Sequence, residues 1–116
     1  MSDMNMSKEE LDVMFTPREI KMVYVVALSH LVTECEKNNV EIKSVKYFQH
    51  GFSVVFKDMP GGDAVIHDNS YARDWGYFET LGMPWDYDDV STHDPETLAK
   101  LIRSYLDGKD WKELDK

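Results

Sequence analysis

Residues 40–67 read VEIKSVKYFQHGFSVVFKDMPGGDAVIH, and this stretch decides the fold. Its apolar residues recur with the period of two that marks a strand. Phe52, Val54 and Phe56 alternate with Ser53, Val55 and Lys57, which predicts a half-buried strand. Val40 to Phe48 predicts a strand before it, with Val40, Ile42, Val45, Tyr47 and Phe48 as apolar members. The alternation slips near Ser44, which places a β-bulge there. Ala64 to His67 predicts a short third strand. Gln49-His50-Gly51 and Asp58-Met59-Pro60-Gly61-Gly62 carry turn residues between the strands. The three strands are therefore expected as an antiparallel meander.

On the N-terminal side lies a helix. Thr16, Pro17 and Glu19 give an N-cap, a first helical residue and a capping box, and Phe15 with Ile20 forms a hydrophobic staple. Ile20, Val23, Tyr24, Ala27, Leu28, Leu31 and Cys35 follow the 3–4 spacing of a buried stripe. Val25, Val26 and Val32 widen the apolar surface beyond it, and Asn38-Asn39 predicts a left-handed stop. Before this helix, Ser7 to Phe15 predicts one or two helical turns, and residues 1–6 read as a flexible tail.

On the C-terminal side, residues 68–75 read as a loop and Gly76 to Leu81 as a fourth strand. Gly82-Met83-Pro84-Trp85 predicts a turn and Asp86 to Val90 an exposed acidic loop. A last helix starts with Asp94 as N-cap and Pro95 as its first residue, with Glu96 at the positive end of the dipole. Leu98, Leu101, Ile102, Tyr105 and Leu106 fit i, i+3, i+4, i+7, i+8, and Asp107-Gly108 ends it. The expected fold is α+β in the order α-β-β-β-(β)-α. A three- to four-stranded antiparallel sheet carries a long N-terminal and a C-terminal helix on one face. Residues 7–116 make one domain, which at this length buries roughly two-thirds of its unfolded surface.

Charge is concentrated. The chain carries a formal net charge of -9. Residues 58–96 hold ten acidic residues and one basic residue, Arg73, so this segment alone accounts for -9. Direct nucleic-acid binding needs clustered Lys and Arg and is not expected. A partner with a basic surface is. A single cysteine, Cys35, excludes an internal disulfide and a cysteine-based zinc site, and fits a reducing, cytoplasmic setting. No apolar run approaches the ~20 residues of a membrane span. The N-terminus MSDMNMSKEELD is polar and acidic, unlike a signal peptide.

Several chemistries lack their residues. There is no G-x-S-x-G elbow, and Gly61-Gly62 lacks the lysine and helix of a phosphate loop. Asp86-x-Asp88-Asp89 lacks the glycine and distant glutamate of a calcium loop. His67-Asp68 and His93-Asp94 suggest a metal-dependent hydrolase using His67, Asp68 and His93 as a minor alternative, but Asp94 is already assigned as a cap. No cofactor or metal is assigned. The residues with the strongest functional signal are the aromatics and acids that interleave between 68 and 89. Those expected at a partner are Asp68, Tyr71, Asp74, Trp75, Tyr77, Glu79, Trp85, Asp86, Tyr87, Asp88 and Asp89. Aromatics are enriched at interface cores, and carboxylates beside them can stand in for DNA phosphates before a basic groove. A second expectation is a small accessory domain that homodimerises through Val25, Val26 and Val32.

The segments HDNSYARDWGYFE (67–79) and DDVSTHDPETLAKLI (88–102) resemble small phage and prophage proteins. In those, a strand is followed by S-Y-x(n)-G-x-[FW]-E, then D-V and a short acidic-capped C-terminal helix. The matching positions are Ser70, Tyr71, Gly76, Phe78, Glu79, Asp89, Val90 and the helix from Pro95. The long first helix is not part of the pattern. The resemblance implies a phage or mobile-element origin and no assigned activity. Small acidic phage proteins often act by binding a host protein, with inhibitors of restriction or CRISPR nucleases, some of them DNA mimics, as the obvious class. The expectation is a non-enzymatic binder of a basic host protein.

Overall fold

The structure is a computed structural model that describes residues 20–86 and 90–109. Helix α1 (Met22–Lys37) is followed by strands β1 (Ile42–Phe48), β2 (Gly51–Phe56) and β3 (Asp63–Ile66). A 3-10 turn (Arg73–Trp75) precedes β4 (Phe78–Leu81) and β5 (Ser91–His93), and helix α2 (Pro95–Leu106) follows. The strands form one sheet in sequential order with every neighbour antiparallel. The expected α+β class and its α-to-α order are what the molecule has. The register of β1 on β2 shifts between Ile42 and Ser44, where the broken alternation put a bulge.

Direct cross-strand partners share a face of a sheet. The pairs Val54–Ala64, Ala64–Thr80, Phe52–Ile66 and Phe78–His93 therefore define one face. Val54, Phe56, Ala64, Ile66, Phe78, Thr80 and His93 are all buried on it. They join Tyr24, Ala27, Leu31 and Cys35 of α1 and Leu98, Leu101 and Ile102 of α2 in one core. The two helices pack against each other, and α1 also packs on β2. The opposite face carries Lys46, Ser53, Val65, Glu79 and Thr92 in one row and Asp63 and Leu81 in the next. None of these seven residues is buried. The sheet has a covered side and an open side, as antiparallel sheets commonly do.

The helix ends follow their local chemistry. At the end of α1, Asn39 takes φ 58, and both the backbone and side-chain amides of Asn38 donate to the Glu34 carbonyl. Asp94 caps α2 by accepting from the Thr97 amide, Pro95 is its first residue, and Gly108 (φ 73) follows its end. Arg103 binds Asp107 and also donates to the Asn39 carbonyl (2.9 Å), tying the two helix ends together.

Three expectations need correction. Helix α1 starts at Met22, with Lys21 in extended backbone as an N-cap whose side chain makes no capping bond. The Thr16-Pro17-Glu19 signal, the staple's Phe15, the early helical turns and the tail lie outside the described residues. Tyr105 sits on the periodic stripe of α2 but is exposed, while Leu106 beside it packs against the core. Finally, Ser91 to His93 form a fifth strand, one more than the three to four expected.

Candidate functional site

The structure separates the eleven expected partner-contacting residues into three groups. Asp68, Tyr71, Asp74, Trp75, Tyr77 and Glu79 lie on the β3–β4 connection and on β4. Trp85 and Asp86 lie inside the β4–β5 connection. Tyr87, Asp88 and Asp89 lie outside the described residues.

Trp85 is a correction. It is only 5% exposed and belongs to the core, so it presents no face to a partner. Its indole Nε1 donates to the Thr80 hydroxyl (3.2 Å), and its ring meets His93 edge to face at 5.9 Å. Asp86 is likewise turned inward. It accepts from the Thr80 hydroxyl (3.2 Å), from the Ser91 hydroxyl (2.5 Å) and from the Met83 amide (3.2 Å). Ser91 Oγ also lies 2.8 Å from His93 Nε2. A hydroxyl has one proton, and that of Ser91 goes to Asp86, so the His93 nitrogen is the donor in this contact. Trp85 and His93 thus donate to two hydroxyls, and both hydroxyls donate to one carboxylate. The network holds β5 and explains how three polar residues become a strand. It also commits the Ser91 proton to a carboxylate, so Ser91 is not wired as a nucleophile with His93 as its base.

The other group has a different character. Trp75 and Tyr71 are 79% and 69% exposed, and Asp74 beside Trp75 has 67% of its side chain in solvent. Tyr77, just before β4, is 37% exposed, and Glu79 lies on the open sheet face in register with Val65 and Thr92. Phe48 at the end of β1 is exposed at the same margin, and its ring meets that of His67 edge to face at 5.2 Å. Asp74 takes one outlying contact from Lys21 at 3.9 Å. Aromatic faces and carboxylates are therefore offered to solvent together.

The backbone beneath them is pinned. His67 and Ser70 close a turn: the His67 amide donates to Ser70 Oγ, and the Ser70 amide donates to the His67 carbonyl (3.1 Å). The Asn69 amide donates to His67 Nδ1 (3.0 Å), which places the His67 proton on Nε2. Burial lowers the His67 pKa, only partly opposed by Glu79 and Asp68, so the ring is held neutral. Arg73 donates to the Ser70 carbonyl (2.9 Å), and the Tyr71 amide donates to Glu79 (3.4 Å). Ala72 (φ 57) and Gly76 (φ 78) both take left-handed backbone around the 3-10 turn. A β-carbon at Gly76 would lie 3.9 Å from Val23 and Ala27 of α1, against which the 3-10 turn packs.

Asp68 roots this loop. The Tyr24 hydroxyl, from the fully buried first helix position facing the core, donates to Asp68 Oδ1 at 2.9 Å. Burial and this bond push the Tyr24 pKa up to about 12. Burial also acts to raise Asp68, but the bonds from Tyr24 and His50 outweigh it and hold the carboxyl below its ordinary range. His50 Nδ1 lies 3.1 Å from Asp68 Oδ2, and the Asn69 side-chain amide donates to Gln49 Oε1 at 2.7 Å.

Gln49 and His50 form the two-residue tip of the β1–β2 hairpin, and both take positive φ, 49 and 63. Such tips ordinarily use Asn-Gly. Left-handed backbone costs a residue with a β-carbon about 1–2 kcal/mol. The exposed pair with Asp68 returns about 0–1 kcal/mol and the amide bond about 0.5–1.5 kcal/mol. Gly51 is required for another reason: a β-carbon there would lie 2.0 Å from the Ile66 carbonyl oxygen. The sequence marked Gly51 as the turn residue, but the strained pair beside it was not foreseen, nor was Tyr24 as an anchor.

The residues of the metal-hydrolase alternative are not assembled. His67 is engaged with Asn69 and Asp68 with Tyr24 and His50, while His93 sits in the Asp86 network. Among the described residues no group of three or more His, Cys, Asp or Glu side chains is placed to hold a metal ion. Cys35 is buried, and burial raises its pKa to about 12, the condition of an inert thiol. No described helix is long and apolar enough to cross a membrane. No family model, curated protein or solved structure matches the chain.

Proposed function

We propose that this protein is a binding module that uses Tyr71, Asp74, Trp75, Tyr77 and Glu79 to engage a basic protein partner. The observation that carries this reading is the exposure of Trp75 and Tyr71 on a pinned loop beside the solvent-facing Asp74. Large aromatics exposed together, rather than scattered singly, are characteristic of surfaces that meet a partner. A side chain that satisfies both aromatic faces and carboxylates is arginine, through cation–π stacking and charge-assisted hydrogen bonds. The net charge of -9 would steer such a partner toward the surface. A nucleic-acid-binding host protein is the class of partner that fits, as the resemblance to small acidic phage proteins also implies. The test is capture from a bacterial lysate on immobilised wild type and on the Tyr71→Ala/Trp75→Ala variant. Basic proteins held by the wild type should be lost from the variant. Equal retention by both would remove the reading.

One observation favours a second reading, self-association through α1. Met22 to Thr33 carries no Asp, Glu, Lys or Arg, and Met22, Val25, Val26 and Val32 are exposed on it. A neutral apolar strip is where two copies of a strongly acidic chain could meet with least repulsion. Sedimentation across a hundredfold range of concentration decides it: a monomer throughout ends this reading.

A further inference from the structure

We infer that the Gln49–His50 hairpin tip is a positioning element of the interface, fixing the loop that displays Tyr71 and Trp75; this rests on the binding reading above. The tip places two residues with β-carbons in left-handed backbone where Asn-Gly would sit at ease. What their exposed side-chain bonds return does no more than offset what the backbone loses, so stability gives no reason to prefer them over Asn-Gly. What they do is specific in space. Their bonds fall on two consecutive residues, His50 on Asp68 and Gln49 on Asn69, while the Gln49 carbonyl accepts from the Asp68 amide (3.2 Å). Asp68 is held from its other oxygen by buried Tyr24. The root of the loop is thereby clamped between a hairpin and a helix. From that root the order passes through Ser70 to Arg73 and into the 3-10 turn, where the Trp75 amide donates to the Ala72 carbonyl (3.1 Å). A loop ordered before binding loses less freedom on binding, which is how a tip that touches no partner adds to affinity. Backbone strain kept at one end of a molecule is expected where it serves such a purpose.

The test replaces the tip with the pair that suits its geometry, Gln49→Asn/His50→Gly. This variant removes both side-chain bonds and relieves the backbone, so its Tm should equal or exceed that of the wild type. Amide hydrogen exchange at residues 70–76 should accelerate at least tenfold while exchange in β2 and β3 stays unchanged. Binding of a fluorescent nona-arginine peptide should weaken about tenfold, chiefly through faster dissociation. Trp75→Ala measured beside it separates the two claims. Loss of peptide binding in Trp75→Ala with unchanged exchange and affinity in the tip variant overturns the inference and leaves the binding reading standing. A wild type that does not bind the peptide, or a Trp75→Ala variant that binds it fully, overturns the reading on which the inference rests.

Discussion

Asp86 shows how far a residue's role depends on what it faces. In the sequence it is one of three acids in five residues; in the molecule it is the acceptor at the centre of a part-buried network. Removing it takes the acceptor from the Met83 amide and from two hydroxyls, of which one can turn to the other across 3.2 Å, and each donor left unsatisfied costs about 1–3 kcal/mol. Asp86→Ala should therefore lower stability by about 2–4 kcal/mol in urea unfolding, with the binding of a basic partner unchanged once the protein is folded. His67 carries a second prediction at this scale. Its pKa is lowered from the ordinary 6.5 by burial, so the native state holds the neutral ring and the unfolded chain takes up the proton first. Its contribution is intact above pH 6.5 and is lost as pH falls toward the lowered native value. Between pH 6.5 and that lowered value, unfolding free energy should decline by up to about 1.4 kcal/mol per pH unit, and His67→Gln should flatten that decline.

Among the elements, α2 was the most legible and β5 the least. Asp94, Pro95 and the spacing of Leu98, Leu101 and Ile102 state a helix in local terms, and the helix has those bounds. Asp94→Ala should cost about 1 kcal/mol through loss of the cap, read as a lower Tm, and leave the binding surface intact. The three-stranded meander was legible because Phe52, Val54 and Phe56 alternate with polar or half-buried neighbours, and the slip near Ser44 even marked the bulge. Ser91-Thr92-His93 has no apolar alternation to read. It becomes a strand because Phe78 and Thr80 offer an unpaired edge and because Asp86 and Trp85 fold back to hold it. That contact is tertiary and leaves no periodic trace. The same limit applied to the site. The density of acids and aromatics pointed to the right segment, but composition cannot say that Trp85 faces inward and Trp75 outward. Trp85 is held inward by its bond to Thr80 and its ring contact with His93. Trp75 sits on a 3-10 turn flanked by left-handed Ala72 and Gly76.

At the scale of the whole molecule, one sheet divides the labour. Its covered side carries the core and the Asp86 network, which set stability. Its open side and the adjoining loop carry Tyr71, Asp74, Trp75, Tyr77 and Glu79, whose exposure contributes little to stability. An acidic chain meeting a basic partner should bind with a salt dependence that steepens at low ionic strength, since screening shortens the reach of its charge. Affinity should fall at least tenfold between 50 mM and 300 mM salt, while a surface working by apolar contact alone would hold its affinity. The most direct measurement of the central claim is the dissociation constant of the Tyr71→Ala/Trp75→Ala variant for a basic protein retained by the wild type, taken with thermal unfolding of both. The account predicts binding weakened by at least a hundredfold at an unchanged Tm; wild-type affinity in the variant would contradict it.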